Sequence, residues 1–545
     1  MLADQAGQVV PTIVRMMDPH GPISTHRTNR VLLMNPTNTF RSECVIFTLF
    51  GEHPQKINRF HSYRNVLEQG SVHPLVLVDA SETSKESFEL PNTLFRKVVQ
   101  KASATYMARV SLPPNGVALL EPMTTTRTKE ASPLASKIVA VPPSNRIILQ
   151  NQYLELAIHV DDNGSATLTH RGSGQIWEHI NKLWHATEQG TSYLHKAYGR
   201  KSLVSPMRII SRKESAAFSS VRLQGSLGKK STVSITYVLF AGARNVQIET
   251  TIENADRDNF VVASFPIQRR GGNDTNADQV SVDVDGNFEY VDRTNMMNRY
   301  AHQNRFSSVY SDGSSLTVAV RGIPEYTVNT NRKSLEMTLI RGVNKIGDWI
   351  AGPLVDDISQ ELRTMTFQYA VILDTCRVTD PACTADIEAR NFVDPVGSFA
   401  SWVEDGYRPE RYIDMDVSPL SVVADLSIMD EFVDIPHMDE IPLASLGLTQ
   451  MVNIKPAKLI LSAIKKAESK EGLIVRVYNP TGSNLQASIS PGLIDFDQVK
   501  YVLLNENEAG SYASLAISPG EDGAFLFSVG PYKIVTIMLL KRDDS

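Results

Sequence analysis

The chain has 545 residues, 42% apolar and 21% charged, an ordinary balance for a soluble globular protein of about three or four domains. Its net charge of −6, with Lys and Arg spread along the chain, leaves no basic stripe to neutralise phosphates, which argues against a nucleic-acid partner and against anionic membranes. No apolar run approaches the roughly 20 residues that span a bilayer, the start lacks the parts of a secretory signal, and three cysteines are too few for a disulfide framework.

A cytoplasmic location is therefore expected. The sequons Asn163-Gly-Ser165 and Asn273-Asp-Thr275 keep a secretory or lysosomal one open should the N-terminus be incomplete.

Residues 1–29 read as a helical tail and linker: Ala6 to Met17 has some helical character, and Asp18-Pro-His-Gly-Pro22 ends any helix. From Arg30 the period changes to two. Val31-Leu-Leu-Met, Val45-Ile-Phe-Thr-Leu-Phe50, Leu75-Val-Leu-Val78 and Ala104 to Val110 are short β-branched runs between turn residues, which predicts a small β-sandwich over 30–122. The polar stretch 123–145, with Pro133, Pro142 and Pro143, reads as a linker.

Residues 146–395 supply many more strands, including Tyr153 to Ile158, Thr232 to Phe240 and Leu316 to Val320. Alternation in Val246 to Ile252 puts Val246, Ile248, Thr250 and Ile252 on one buried face. A run of this length calls for two large stacked sheets; a helix is conceivable only around Ile176 to Leu183. Cys376 and Cys383 either pair or stay as free thiols. Residues 396–447 form an acidic connector, and a final β domain follows over 448–545.

Several of these runs, taken in order, carry a resemblance. They are Arg30-Val-Leu-Leu-Met-Asn35-Pro36 and Leu112-Pro113-Pro114-Asn115-Gly116, then Arg305-Phe306, Gly322-Ile-Pro-Glu-Tyr326 and Leu335 to Val343, and last Gly472 to Thr481 and Pro531 to Thr536. Together they resemble the C-terminal β region of glycoside hydrolase family 38, the α-mannosidases. The resemblance implies an all-β chain: a small sandwich, a galactose-mutarotase-like supersandwich and a C-terminal β domain. Two departures mark a diverged relative. Val355-Asp-Asp-Ile-Ser-Gln360 replaces a Thr-Pro-x-Ala-Gln-like stretch, and the acidic connector has no counterpart.

Enzymes of that family hold an Asp nucleophile, a second carboxylate and a catalytic zinc in an N-terminal barrel, and this chain is expected to start after it. Neither the nucleophile nor the zinc ligands can be assigned. The one His-x-Asp, His437-Met-Asp439, lies in the acidic connector and reads as a surface loop, and no Cys-x-x-Cys or His-x-x-x-His spacing occurs. No phosphate loop, nucleophile elbow or dinucleotide fingerprint occurs either. The expectation is thus no catalytic residue, no metal and no cofactor in this chain, with zinc belonging to the full-length family enzyme.

Phe288 to Asn304 is rich in planar and multiply hydrogen-bonding side chains of the kind that meet sugars. Because the resemblance implies that the large β domain helps to shape the substrate pocket, Asp292, Arg293, Tyr300 and His302 are the candidate sugar contacts. Three roles are consistent with this: the β part of a truncated or split α-mannosidase with a separate catalytic barrel chain as partner, a free-standing sugar-binding module, or a structural scaffold. In the first two the ligand is an α-mannoside or a related carbohydrate.

Overall fold

The computed structural model describes residues 31–51, 60, 62–65, 72–82, 102–124, 137–141, 146–202, 207–214, 218–267, 279–284, 287–291, 300–311, 313–329, 333–347, 354–355, 358–378, 383–400, 413–414, 450–468, 472–492, 494, 496–507 and 516–540. Among them the chain is almost wholly β, and it divides into two compact units. The first comprises Met1–Ser132, Asp394–Pro419 and Val433–Ser545; the second comprises Pro133–Val393 and Leu420–Phe432. No described helix is long and apolar enough to cross a membrane.

The first unit contains the expected small sandwich. Strand Val31–Met34 runs between Val117–Met123 and Gly397–Ala400, while Arg41–Gly51 pairs along its whole length with Ala102–Leu112. Val31, Leu33, Phe47, Leu49, Tyr106 and Leu120 fill the space between. Gly397–Ala400 falls in the stretch read as an acidic connector, but it is a strand of the first sheet, between Val31–Met34 and Ile413–Asp414. Most of that connector, with His437 and Asp439, lies outside the described residues.

Two Asn-Pro-Thr turns in this unit use the same device. Asn35 Oδ1 accepts from Thr37 N and Oγ1 at 3.0 and 2.8 Å, and its Nδ2 donates to the carbonyls of Thr39 and Pro113, both at 2.7 Å. Asn479 repeats this with Thr481 N and Oγ1 at 2.9 and 2.8 Å, donating to Ser483 O at 2.7 Å and Val529 O at 2.9 Å. The asparagine amide thus satisfies backbone groups that the following proline leaves without a ladder. The C-terminal sheets enclose a core of Val452, Val475, Ile489, Phe527 and Ile537, which Val117 also joins. At that junction Asn115, at φ 41°, accepts Met451 N on its carbonyl and Val452 N on its side chain.

The second unit stacks a nine-stranded sheet against a five-stranded and a six-stranded one around a single core. The six-stranded sheet consists of β1 (Lys182–Glu188), β2 (Ala197–Ser202), β3 (Asn259–Pro266), β4 (Tyr300–His302), β5 (Glu325–Asn329) and β6 (Ser334–Arg341), in the spatial order β2-β1-β3-β6-β5-β4. Val246, Ile248, Thr250 and Ile252 are each 0% exposed in strand Asn245–Glu253, as their alternation requires. In the nine-stranded sheet that strand pairs with β7 (Thr364–Asp374), which is followed by helix α1 (Ala385–Val393).

Two readings of this region need correction. Within the linker assigned to 123–145, Lys137–Val141 is a strand paired with Arg146–Gln150. Where a helix was conceivable, around Ile176 to Leu183, the chain instead ends strand Gln175–Ile180 and begins β1. His179 and Asn181 there have φ of 54° and 59°, the left-handed region that interrupts a right-handed helix.

Asn181 sits at the centre of the core. Its Nδ2 donates to Tyr237 Oη at 2.9 Å and its Oδ1 accepts from Tyr369 Oη at 2.6 Å. Tyr237 in turn donates to Gly164 O at 2.7 Å, and Tyr369 meets Thr250 Oγ1 at 2.7 Å. Both phenols are fully buried, and burial raises their pKa well above the usual tyrosine range. Asn181→Ala should destabilise this unit by about 2–4 kcal/mol, by losing two buried hydrogen bonds and placing alanine in the left-handed region. Denaturant midpoints of the two variants check this, with Tyr369→Phe expected to cost less because it also removes the buried hydroxyl.

Candidate functional site

The outer face of the six-stranded sheet, opposite the core, holds a concentration of charged and aromatic side chains. Alternation decides which residues lie there. Leu183, Val261, Ala263, Leu335, Met337, Tyr326 and Ala301 point to the core. Trp184, Glu188, Phe260, Val262, Glu336 and Tyr300 therefore lie on the other side.

Two carboxylates on this face have no solvent access. Glu336 is 0% exposed and receives a bidentate ion pair from Arg200, with both N···O distances at 2.8 Å, plus Ser334 Oγ at 2.8 Å. Arg200 also lies over the Trp184 ring at 5.1 Å. Glu188 Oε1 accepts the backbone N–H of Gly190 and of Lys196, both at 2.7 Å, while Oε2 meets His195 Nδ1 and lies 3.4 Å from Arg341 Nε. Burial pushes the Glu188 carboxyl up, but the His195 contact and the Lys196 and Gly190 amides outweigh it and hold the group down at about 2.

Glu188 thereby folds the hairpin between β1 and β2 back over the sheet. Gly190 is required at this bend because a Cβ there would come within 1.7 Å of Leu194 O. The fold places the His195 ring 4.4 Å from Phe260 and 4.3 Å, edge-on, from Tyr300. The same hairpin leaves Tyr193, Leu194 and Tyr198 exposed.

Of the residues expected to touch sugar, Tyr300 and His302 both lie on this face, on edge strand β4. Tyr300 is half-buried in the His195–Phe260 cluster, and among the described residues its hydroxyl has no hydrogen-bond partner. Burial first, then the Glu336 carboxylate, push the phenol up to about 12, so it stays a neutral donor at physiological pH. His302 is exposed. Asp292 and Arg293 lie outside the described residues.

Sequence reasoning did not single out Glu188, His195, Arg200 or Glu336. Glu336 stood inside the quoted Leu335 to Val343 run, but alternation alone reads such a residue as facing water. The arginine that buries it is 136 positions away.

The face can offer an aromatic surface, a free phenol and an exposed imidazole. Neither buried carboxylate is poised as a hydrolytic acid or base: Glu336 is closed by Arg200 and the Ser334 hydroxyl, and Glu188 by His195, Arg341 and two hairpin amides. The catalytic zinc implied by the resemblance takes imidazole ligands. The metal-compatible cluster among the described residues is Asp374, Cys376 and Cys383, which contains none, so it does not fit that ion. Cys376 and Cys383 are unbridged, and burial pushes the Cys383 thiol up.

Comparisons with known proteins agree with this architecture. Residues 458–537 match the glycosyl hydrolases family 38 C-terminal β-sandwich domain. A protein of Halalkalibacterium halodurans named "Putative mannosylglycerate hydrolase" is 22% identical over 242 residues, which are 37% of this chain and 26% of that protein. A crystal structure of a protein in glycosyl hydrolase family 38 from Enterococcus faecalis superposes with a TM-score of 0.66 at 14% identity, covering 95% of this chain and 59% of that one. An α-mannosidase from Enterococcus faecalis V583 gives 0.65 at 14% identity, covering 98% and 58%. The chain thus spans well under two thirds of these relatives.

Because the Glu188 carboxyl falls from its ordinary 4.5 to about 2 on folding, its contribution is fully present above about pH 4.5 and is lost as pH falls toward 2. Glu188→Gln should cost about 2–3 kcal/mol at pH 7 and much less near pH 2.5. Urea unfolding at both pH values measures it; an equal cost at each would show that the ionised form is not what stabilises the hairpin.

Proposed function

We propose that this chain, which carries the C-terminal β region of glycoside hydrolase family 38, contributes the sugar-contacting surface of an α-mannosidase-like enzyme, and that the outer face of the six-stranded sheet is that surface. The observation that carries the reading is the Tyr300 cluster. Trp184 and Tyr300 are suited to the C–H faces of a pyranose, the Tyr300 hydroxyl has no hydrogen-bond partner among the described residues, and His302 is exposed. Asp292 and Arg293 are proposed as further contacts from the segment before β4.

The face is proposed to bind and not to cleave. Retaining hydrolysis needs two carboxyl groups about 5 Å apart on either side of an open anomeric carbon. Glu188 and Glu336 are instead held in ion pairs that favour a fixed, uncharged-looking surface. In this reading the nucleophile, acid–base carboxylate and zinc are supplied by a family 38 barrel, on a longer polypeptide or on a separate chain. A free-standing sugar-binding module would use the same face, and the two differ in whether a barrel fragment forms a stable, active complex with this chain.

The chain alone should show no turnover of an aryl α-mannoside with zinc added, and a rate above about 1 s⁻¹ would overturn the reading. It should bind α-mannosides weakly in saturation-transfer NMR, with mannosylglycerate among those tested because of the Halalkalibacterium relative's name. Tyr300→Ala and Trp184→Ala should each weaken binding by about 3- to 10-fold, the range for one aromatic contact. Binding unchanged in both variants would remove this face from consideration.

A further inference from the structure

Strand β7 ends at Asp374, and the chain returns to start α1 at Ala385. Within that return two thiols meet the two oxygens of one carboxylate: Cys376 Sγ lies 3.2 Å from Asp374 Oδ1, and Cys383 Sγ lies 3.4 Å from Oδ2. One ligand atom from each of the three residues lies within 4.8 Å of the others. A tetrahedral ion with sulfur at ~2.3 Å and oxygen at ~2.0 Å sets neighbouring ligand atoms ~3.5–3.8 Å apart. The 3.2 and 3.4 Å contacts to the two carboxylate oxygens, and the 4.8 Å limit on all three ligand atoms, put the residues on the scale of that triangle.

The carboxylate is also oriented by its surroundings. The backbone N–H of Thr375 donates to Oδ1 at 2.7 Å, and Thr384 N and Oγ1 lie 3.3 and 3.4 Å from Oδ2. A disulfide between Cys376 and Cys383 would account for the two sulfurs but not for a carboxylate placed with one oxygen toward each of them. Two thiolates and a carboxylate are donors that select thiophilic divalent cations over magnesium or calcium.

We propose that Asp374, Cys376 and Cys383 form a binding site for a zinc-class divalent cation, distinct from the imidazole-ligated catalytic ion of the family. Three protein ligands leave one tetrahedral position for water. The ion would clip the end of β7 to the residues that lead into α1. The other end of α1 is already held by Arg321, whose Nε donates to Phe392 O at 3.0 Å and whose guanidinium lies 4.4 Å from the Phe392 ring centre.

The test uses the full chain, purified with a reductant, stripped with chelator and titrated with Co²⁺ alone. One equivalent should bind with a sulfur-to-cobalt charge-transfer band in the near ultraviolet, and zinc should displace it. Cys376→Ser and Cys383→Ser should each weaken or abolish the band while circular dichroism stays that of the wild type, and zinc should raise the melting temperature of the wild type only. The third cysteine, Cys44, belongs to the other unit, so a band that survives in the double serine variant overturns the proposal. So does the absence of a band in folded, reduced wild-type protein. If Cys383→Ser fails to fold, the half-buried Cys376 carries the test through its own variant. Finding Cys376 and Cys383 paired as a disulfide in protein isolated without reductant, together with no cobalt uptake after reduction, assigns them to the disulfide and sinks the ion site.

Discussion

The two carboxylates buried on the outer face of the six-stranded sheet constrain everything around them. An unpaired charge at zero exposure would cost several kcal/mol, so each must bring its own cation and donors. Glu336 does so with Arg200, which fixes β2 beside Trp184, and Glu188 does so with His195, Arg341 and two hairpin amides. These pairs are weak evidence of net stability, since apolar replacements of similar volume can be as stable. What they supply is position: the hairpin is folded back, and His195 is laid across Phe260 and Tyr300.

The inner side of the same sheet is set by a different interaction. Asn181 stands just before β1 and links two tyrosines of the nine-stranded sheet, so the strand that carries Trp184 and Glu188 is held to the opposing sheet by directional bonds as well as by packing. Apolar contacts alone tolerate small slips between layers, whereas a fully satisfied polar network in a low-dielectric core does not. The proposed sugar surface therefore rests on a sheet fixed from below and capped at one edge. A preorganised face of this kind loses little conformational freedom when it binds.

Much of the fold was legible because it follows from local chemistry. The alternation of Val246 to Ile252 named a buried face correctly down to Thr250, whose hydroxyl is satisfied by Tyr369. The Asn-Pro-Thr turns at Asn35 and Asn479 were visible as motifs, and their hydrogen bonds explain why they recur. Less was visible where distant residues decide. Lys137–Val141 sits among prolines and polar residues and is a strand only because Arg146–Gln150 pairs with it. Trp177 and its neighbours carry a pattern compatible with a helix, which the left-handed residues His179 and Asn181 exclude. In the candidate site, Tyr300 and His302 were named from a stretch rich in planar and hydrogen-bonding side chains together with what the family resemblance implies, and the structure places both on the outer face. Glu188 and Glu336 could not be named in this way, because a lone acidic residue in a strand looks solvent-facing until its arginine arrives from far along the chain.

The central claim is that ligand meets this protein on the outer face of the six-stranded sheet. Hydrogen–deuterium exchange of the intact chain, with and without a saturating α-mannoside, tests it most directly, because it reads location without altering any residue. The account predicts slowed exchange confined to the hairpin around residues 189–196 and to β2, β4 and β5. Slowed exchange on the C-terminal sheets or the nine-stranded sheet, with none at the hairpin or β4, would contradict it.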